Sequence, residues 1–463
     1  MGLNFSALEI GRQALRASQL GLNITSQNIA NVNTPEYSRQ TVQFAARDQY
    51  GAKLQLTGGG VEVESVRSIR DQFVEARLLK ENAAAGRWTA QRDALQPLDA
   101  VLNDSSNKGG IPSSLAEFFG AFRDLEAHPN SASLRHVAVE KGQALTNAFQ
   151  STSARLKEIR QDADGSLRST VAEANELSEK IAKLNASILR AENTESTAAS
   201  LYDQRDAAVQ RLAELTGART TTDSRNQVTV TLGDGQALVI ADKSFALEIQ
   251  PTAPEGLSEL TINGDPAVFA DGQLRGLQNA IAATGSYLTD LDDLAASVAD
   301  RVNSLHSSGV DLNGDAGTPF FAAPIGGTVT AASFKVSDEI IADPKKVVVA
   351  AVGSGTGDAT IARELSALLT APDSVAGSNQ GSFAELYAGI VRDAGGAIQT
   401  ADDALTTQQA ILLQVQAQEA AISGVSLDEE AINLLQYQRA FEAAARFLKI
   451  ADEMTQTIIS LAQ

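Results

Sequence analysis

The chain has 463 residues, a length that fits two to four domains with ordinary cores. Its 57 acidic against 37 basic side chains leave a net charge of −20, which repels a phosphate backbone and argues against a nucleic-acid partner. Cysteine is absent, which excludes disulfides, thiolate metal sites and cysteine nucleophiles. No apolar run is long enough to span a bilayer, and no basic amphipathic stretch suggests a membrane surface.

In the first thirty residues Leu8, Leu15, Leu22 and Ile29 recur every seven positions, with Gly11, Ser18 and Thr25 beside them. Seven residues is close to two helical turns, so the pattern predicts a helix with one apolar seam that a partner helix can approach closely. A charged n-region followed by an apolar h-region is not evident there. Asn28, Asn31, Asn33 and Pro35 then break the helix. Thr41 to Phe44 and Val61 to Val66 alternate as strands do, around a flexible Gly58-Gly59-Gly60 turn.

Helix is predicted from Asp71 to about Leu102, interrupted at Pro97. A second block opens near Ser113 with Leu115, Phe118, Phe119 and Phe122, and breaks at His128-Pro129-Asn130. From Ala132 to about Ala191, Leu167, Val171, Ala174, Leu177, Ile181, Leu184 and Ile188 step by threes and fours, as in a long rod helix. Another helix runs from about Ser200 to Leu215 and stops at Gly217.

Composition then shifts. Residues 218–270 alternate, with hairpin signals at Asp234-Gly235 and Asn263-Gly264, which predicts a small antiparallel β unit. Helix resumes at Gln273, with Leu291, Leu294, Val298, Val302 and Leu305 on one face. Residues 309–352 are expected to complete the β unit, and helix returns from Phe383 to Ile422.

The last forty residues carry three apolar series at seven-residue spacing: Leu434, Phe441 and Leu448; Tyr437, Ala444, Ala451 and Ile458; Ala440, Phe447, Met454 and Leu461. They form one broad apolar helical face, opened by Ser426 and Glu429 as a capping box. Periodicity alone reads the first and last helices as core members of one bundle, with a polymerisation interface as the other reading.

Little points to chemistry. His128, His136 and His306 are scattered without ligand-spaced acids and read as surface or loop residues, so no metal or cofactor is expected. His-Glu-x-x-His, Gly-x-Ser-x-Gly and P-loop patterns are all missing. Asp311-Leu312-Asn313-Gly314-Asp315 opens like a calcium loop. The pattern then fails at Ala316 and Ala322, which leaves an Asx-type turn.

The stretch Asn28-Ile29-Ala30-Asn31-x-Asn33-Thr34-Pro35-x-Tyr37-Ser38-Arg39 resembles the N-terminal signature of bacterial flagellar axial proteins. Glu36 departs from it, standing where Gly is usual. Ser423-Gly424-Val425-Ser426-Leu427-Asp428-Glu429-Glu430, with Gln436-Tyr437-Gln438-Arg439-Ala440 and Ala451-Asp452-Glu453-Met454, resembles their C-terminal signature. Gly60-Val61-x-Val63, Arg70-Asp71-x-Phe73, Leu115-x-x-Phe118-Phe119, Leu201-Tyr202-Asp203-Gln204-Arg205-Asp206, Gly272-Gln273-Leu274-x-Gly276-Leu277, and Asp311-Leu312-Asn313-Gly314 with Phe320-Phe321 narrow the resemblance to the hook-associated protein 1 family.

The resemblance implies an α+β, mainly α chain. Residues 1–35 with 425–463 would form a paired terminal polymerisation domain. Residues 36–217 with 273–308 and 353–424 would form a helical rod domain, and 218–272 with 309–352 an inserted β domain. It implies a non-enzymatic subunit of the hook–filament junction, exported through the flagellar type III pathway to the cell exterior. Its partners would be other copies of the chain, the hook protein, the next junction protein and an export chaperone on the C-terminal helix. Another axial subunit such as the hook protein, or a wall hydrolase carried on axial-type ends, are the competing readings.

Overall fold

The computed structural model describes residues 2–34, 37–46, 60–103, 109–193, 199–252, 257–322, 327–355, 357–371, 373–374 and 380–461. Pro35, Glu36, Gly58 and Gly59 lie outside them, as do the side chains of Ile458 and Leu461. Helix α1 (Gly2–Ala30) ends where the Asn31 amide turns back to donate to the Gln27 carbonyl. Strands β1 (Gln40–Ala46) and β2 (Val61–Ser68) pair antiparallel from Gln40 opposite Ser68 to Ala46 opposite Val61, with a bulge between Gln43 and Phe44.

Asp71 caps α2 (Gln72–Leu95) by accepting from the Phe73 and Val74 N–H groups. Pro97 cannot supply the N–H that would continue that helix, so it opens a separate short helix, α3 (Pro97–Leu102). Helices α4 (Ile111–Ala127), α5 (Ala132–Asn193) and α6 (Ala199–Thr216) follow. At 62 residues, α5 is the longest element and extends roughly 90 Å at ~1.5 Å per residue.

The chain leaves the helical body at Gly217 (φ 68°) and returns at Gly272 (φ 89°). These two glycines pack backbone against backbone: a β-carbon on Gly272 would stand 2.4 Å from the Gly217 nitrogen. Between them lie a four-stranded antiparallel sheet, β3 (Arg219–Thr222), β4 (Val228–Thr231), β5 (Ala237–Ile240) and β6 (Lys243–Ser244), and a three-stranded one, β7 (Leu247–Thr252), β8 (Leu257–Ile262) and β9 (Asp265–Pro266). Asn263 and Gly264, both at positive φ, make the two-residue turn from β8 to β9 that their sequence signals.

Helix α7 (Gln273–His306) leads into β10 (Gly309–Val310), α8 (Asp338–Ala342), β11 (Ala350–Ala351), α9 (Thr360–Ala367), β12 (Asp373–Ser374) and β13 (Gln380–Gly381). Helix α10 (Phe383–Ser423) starts at a reciprocal capping box of Ser382 and Glu385, and α11 (Leu427–Leu461) closes the described chain.

Two main cores follow. One gathers Phe118, Phe119, Phe122, Phe149, Phe320, Phe321, Phe334 and Phe383 with apolar side chains of α4, α5, α7, α9 and α10. The other packs the far half of α5, α6 and the start of α7 against the inner faces of the 219–266 sheets. Helix α5 belongs to both. A small third cluster, Val74, Leu78 and Val415, joins α2 to α10.

Two expectations are corrected here. Among the described residues, 309–352 do not complete the β unit: β10 pairs with β11 and bridges Ala316, apart from the 219–266 sheets, and Phe320, Phe321, Phe334 and Val347 to Val349 fill the phenylalanine-rich core instead. Val347, Val348 and Val349 are buried in succession, so the run passes through a core and does not alternate along a sheet. His306 is no surface residue. It is fully buried at the end of α7, where its Nε2 accepts from the Val348 N–H at 2.9 Å and its Nδ1–H donates to the Thr318 carbonyl. Burial pushes its pKa from 6.5 down to about 4, so the imidazole is a neutral structural bridge. Asp311 makes the expected Asx turn, accepting from the N–H groups of Asn313 and Asp315.

Candidate assembly interface

Helices α1 and α11 run antiparallel and close together, and the reason is the size of the residues between them. A β-carbon on Gly11 would stand 2.8 Å from Leu448 Cγ, and one on Gly21 would stand 2.7 Å from the Tyr437 ring. The large side chains of α11 therefore lie directly over a small-residue stripe on α1, whose buried members are Gly11, Ala17, Ser18, Gly21, Ile24, Thr25 and Asn28. Leu8, Leu15, Leu22 and Ile29 flank that stripe and are half-buried. On α11, Ala444 and Ala451 are buried, while Leu434, Tyr437, Phe441 and Leu448 are half-buried. Phe44 of β1 meets the Tyr437 ring edge-on at 6.3 Å.

The third series lies mostly on the outer side, although a β-carbon on Gly11 would also stand 3.1 Å from the Phe447 ring. Ala440, Phe447 and Met454 are exposed, together with Ile432 and Ile450 on the same side of the helix. Ile450 and Met454 each keep 56% of their surface accessible. Exposed apolar runs of this size are candidates for contact with a partner. Neither terminal helix contributes a side chain to the three core clusters of the body, among the described residues.

At one end of the pair the two signature segments meet in a buried polar node. Asn28 satisfies all four of its amide positions: Nδ2 donates to the Gln40 carbonyl at 2.9 Å and to Glu430 Oε2 at 3.1 Å. Its Oδ1 accepts from the Gln40 N–H at 3.0 Å and from the Tyr37 hydroxyl at 2.9 Å. Arg39 donates to Glu430 Oε1 at 2.8 Å and to Glu429 at 2.6 Å, and its own N–H reaches the Ser423 carbonyl. Asn28 and Glu430 each expose only 1% of their surface, so the carboxylate has its countercharge and its amide partner inside the protein. Burial, with the nearby carboxylates of Asp203 and Glu430, pushes the Tyr37 phenol up to about 12. Burial and then Glu430 also raise Tyr437.

A second junction ties this region to the body. Arg70, just after β2, donates to Asp203 at 2.8 Å and pairs with Asp206, both on α6. Burial raises Asp203 despite the Arg70 charge beside it. Arg205 turns the other way and donates to the Asn226 carbonyl at 2.6 Å, beneath the β unit.

Of the signature residues, Asn28, Tyr37 and Arg39 converge on the node. Asn31 and Thr34 bond to each other in the turn that follows α1, and Asn33 is exposed. Gln40, just past the N-terminal signature, and Glu430, which closes the Ser423–Glu430 stretch, do equal work there. The signal was present: Glu430 stands seven residues before Tyr437 in an otherwise apolar series, and Asn28 seven after Gly21. A polar residue at a seam position is the usual mark of a specified register. Among the described residues no group of histidines and acids could hold a metal, and no helix is long and apolar enough to cross a membrane.

Comparison with known proteins gives consistent likenesses. The family model of the flagellar hook-associated protein FlgK helical domain matches residues 95–321. That of the flagella basal body rod protein matches 8–37, and that of the flagellar basal body rod FlgEFG protein C-terminal region matches 417–461. The chain is 29% identical to flagellar hook-associated protein 1 of Bacillus subtilis, with 99% of both chains covered. It is 24% identical to that of Escherichia coli, covering 98% of this chain and 100% of the other. The solved structure of the flagellar hook junction protein FlgK from Burkholderia pseudomallei superposes with a TM-score of 0.66 at 16% identity, over 75% of this chain and 100% of that one.

Proposed function

We infer that this chain is a member of the flagellar hook-associated protein 1 family and a structural subunit of the bacterial flagellum that forms the junction between hook and filament. One observation carries the reading: the two ends matched by the flagellar rod family models fold against each other, while α11 leaves an apolar stripe uncovered. In an assembled ring or tube, the stripe of Phe447, Ile450 and Met454 would be covered by the terminal helices of neighbouring copies. The helical body and its β unit would stand away from that layer. The hook protein would meet the assembly on one side and the next junction protein on the other.

Delivery belongs to the same proposal. The chain would pass unfolded through the flagellar type III channel to the cell exterior, where the absence of cysteine prevents cross-linking on the way. Before export, a chaperone would cover the apolar face of α11 by helix-in-groove packing. The relatives are structural flagellar proteins, and no catalytic role is proposed. Deleting the gene tests the reading. Hooks without filaments, with flagellin released into the medium, are expected; normal filaments in the deletion strain would overturn it.

A further inference from the structure

The seven-residue repeat that lets α1 and α11 pair does not say where along each other they pair. Gly11, Ser18 and Thr25 repeat on one helix; Leu434, Phe441 and Leu448 repeat on the other, as do Tyr437, Ala444 and Ala451. Sliding α11 by seven residues lays each series on its own next member, so the apolar contact is nearly degenerate between registers. A slide of that size moves the outward stripe by roughly 10 Å, since the helix rises ~1.5 Å per residue.

We propose that the Asn28–Glu430–Arg39 node is a register lock for the terminal pair, and that Glu430 is its positioning residue. Apart from Gly21, which leaves room for the Tyr437 ring, the node is the aperiodic part of the interface. Gly21 lies over Tyr437 and Asn28 bonds Glu430, so the native pairing sets α1 position 21 level with 437 and 28 level with 430. One slip places Glu430 level with Gly21, away from both Arg39 and Asn28, with a buried carboxylate facing apolar neighbours. The opposite slip carries it past the end of α1. Either leaves Asn28 and Glu430 without the partners that satisfy them now, which is the penalty that makes buried polar groups specify register. The inference deepens the junction reading, because only a fixed register presents the stripe of every copy at one height.

Disulfide trapping tests it on the isolated full-length chain, whose lack of native cysteine makes introduced thiols the only ones present. Ala14→Cys with Ala444→Cys reports the native register, because these positions lie seven residues from Gly21 and Tyr437. Two slipped pairs report the alternatives: Ala7→Cys with Ala444→Cys the slip that brings Glu430 level with Gly21, and Ala14→Cys with Ala451→Cys the opposite slip. Under mild oxidation, the native pair is expected to close at least tenfold faster than either slipped pair. In a Glu430→Ala background that preference falls to threefold or less. Tyr437→Ala, which removes the ring over Gly21 but leaves the node, keeps the preference within twofold of the parent. The lock is overturned if Glu430→Ala leaves the preference unchanged, if either slipped pair closes as fast in the parent, or if no pair closes. The readout is independent of assembly: a locked chain that fails to restore junctions in a deletion strain would instead sink the functional reading.

Discussion

Asn185 of α5 exchanges two hydrogen bonds with the backbone of Val228 in β4, donating to its carbonyl at 2.8 Å and accepting from its N–H at 3.2 Å. The same exchange links Asn175 to Leu247, Asn303 to Phe321 and Asn28 to Gln40. In each case a helix presents an amide that imitates the edge of a neighbouring strand, so an extended segment is held against the helix without a further strand. Asn185 also donates to the Ala241 carbonyl at 2.7 Å, pinning a second strand connection.

Asn185→Leu should therefore cost about 2–4 kcal/mol, because it leaves the buried Val228 N–H and two carbonyls without a partner. The measurement is the urea midpoint of the full chain at constant m-value. A loss below roughly 0.5 kcal/mol would mean that the strands are held by apolar packing alone.

Acid should weaken the fold through His306. Its imidazole titrates near 6.5 when unfolded and near 4 when folded, so between those values the unfolded chain binds the extra proton. Stability from this group is complete above about pH 6.5, falls as pH drops through the 6.5-to-4 window, and changes no further below it. The loss is on the order of 3 kcal/mol. Arg135 and Asp311 are the charged groups beside it, the first lowering its proton affinity and the second raising it. In His306→Gln, which can still donate and accept, the denaturation midpoint should lose most of that slope between pH 6.5 and 4.5. An unchanged slope would place the acid sensitivity elsewhere.

Gly21→Val should push the terminal helices apart, since its β-carbon would meet the Tyr437 ring at 2.7 Å. Overpacking of this kind costs about 1–3 kcal/mol, enough to lower the amount of protein retained in purified hook–filament preparations about tenfold. Adding Tyr437→Ala makes room and should restore part of it. No rescue by the second change would show that the two residues do not meet in the assembled state.

Phe441→Asp with Leu448→Asp should abolish incorporation while the body melts as before, because neither residue belongs to the body's cores. For the same reason protease should cut the isolated chain first at its two ends. Normal junctions from the double variant, or first protease cuts within the body's cores, would contradict the assignment of this pair.

The helices were legible because their apolar periods are long, and their limits because Pro97 and Gly217 act locally on the backbone. The turn at Asn263 and Gly264 was equally local. Residues 309–352 were misplaced because Val347 to Val349 suit a strand as well as a buried crossing, and only the aromatic neighbours supplied from far along the chain decide between them. His306 carried a signal that went unused: it stands four residues after Val302, on the buried face of α7. The Asn28–Glu430 contact joins residues 402 apart, which no local pattern can report, although each residue interrupts its own repeat.

The meeting of Gly217 and Gly272 makes the strands between them a cassette on a closed doorway. Because the two doorposts already touch, a short loop could bridge them, and the excursion could be exchanged for a longer, shorter or chemically different one without moving the helices on either side. A replacement would need to bring its own greasy underside, to cover Leu167, Val171 and Leu212 where they now lie beneath the sheets. The frame is thus free to keep one mode of assembly while the surface it carries diverges.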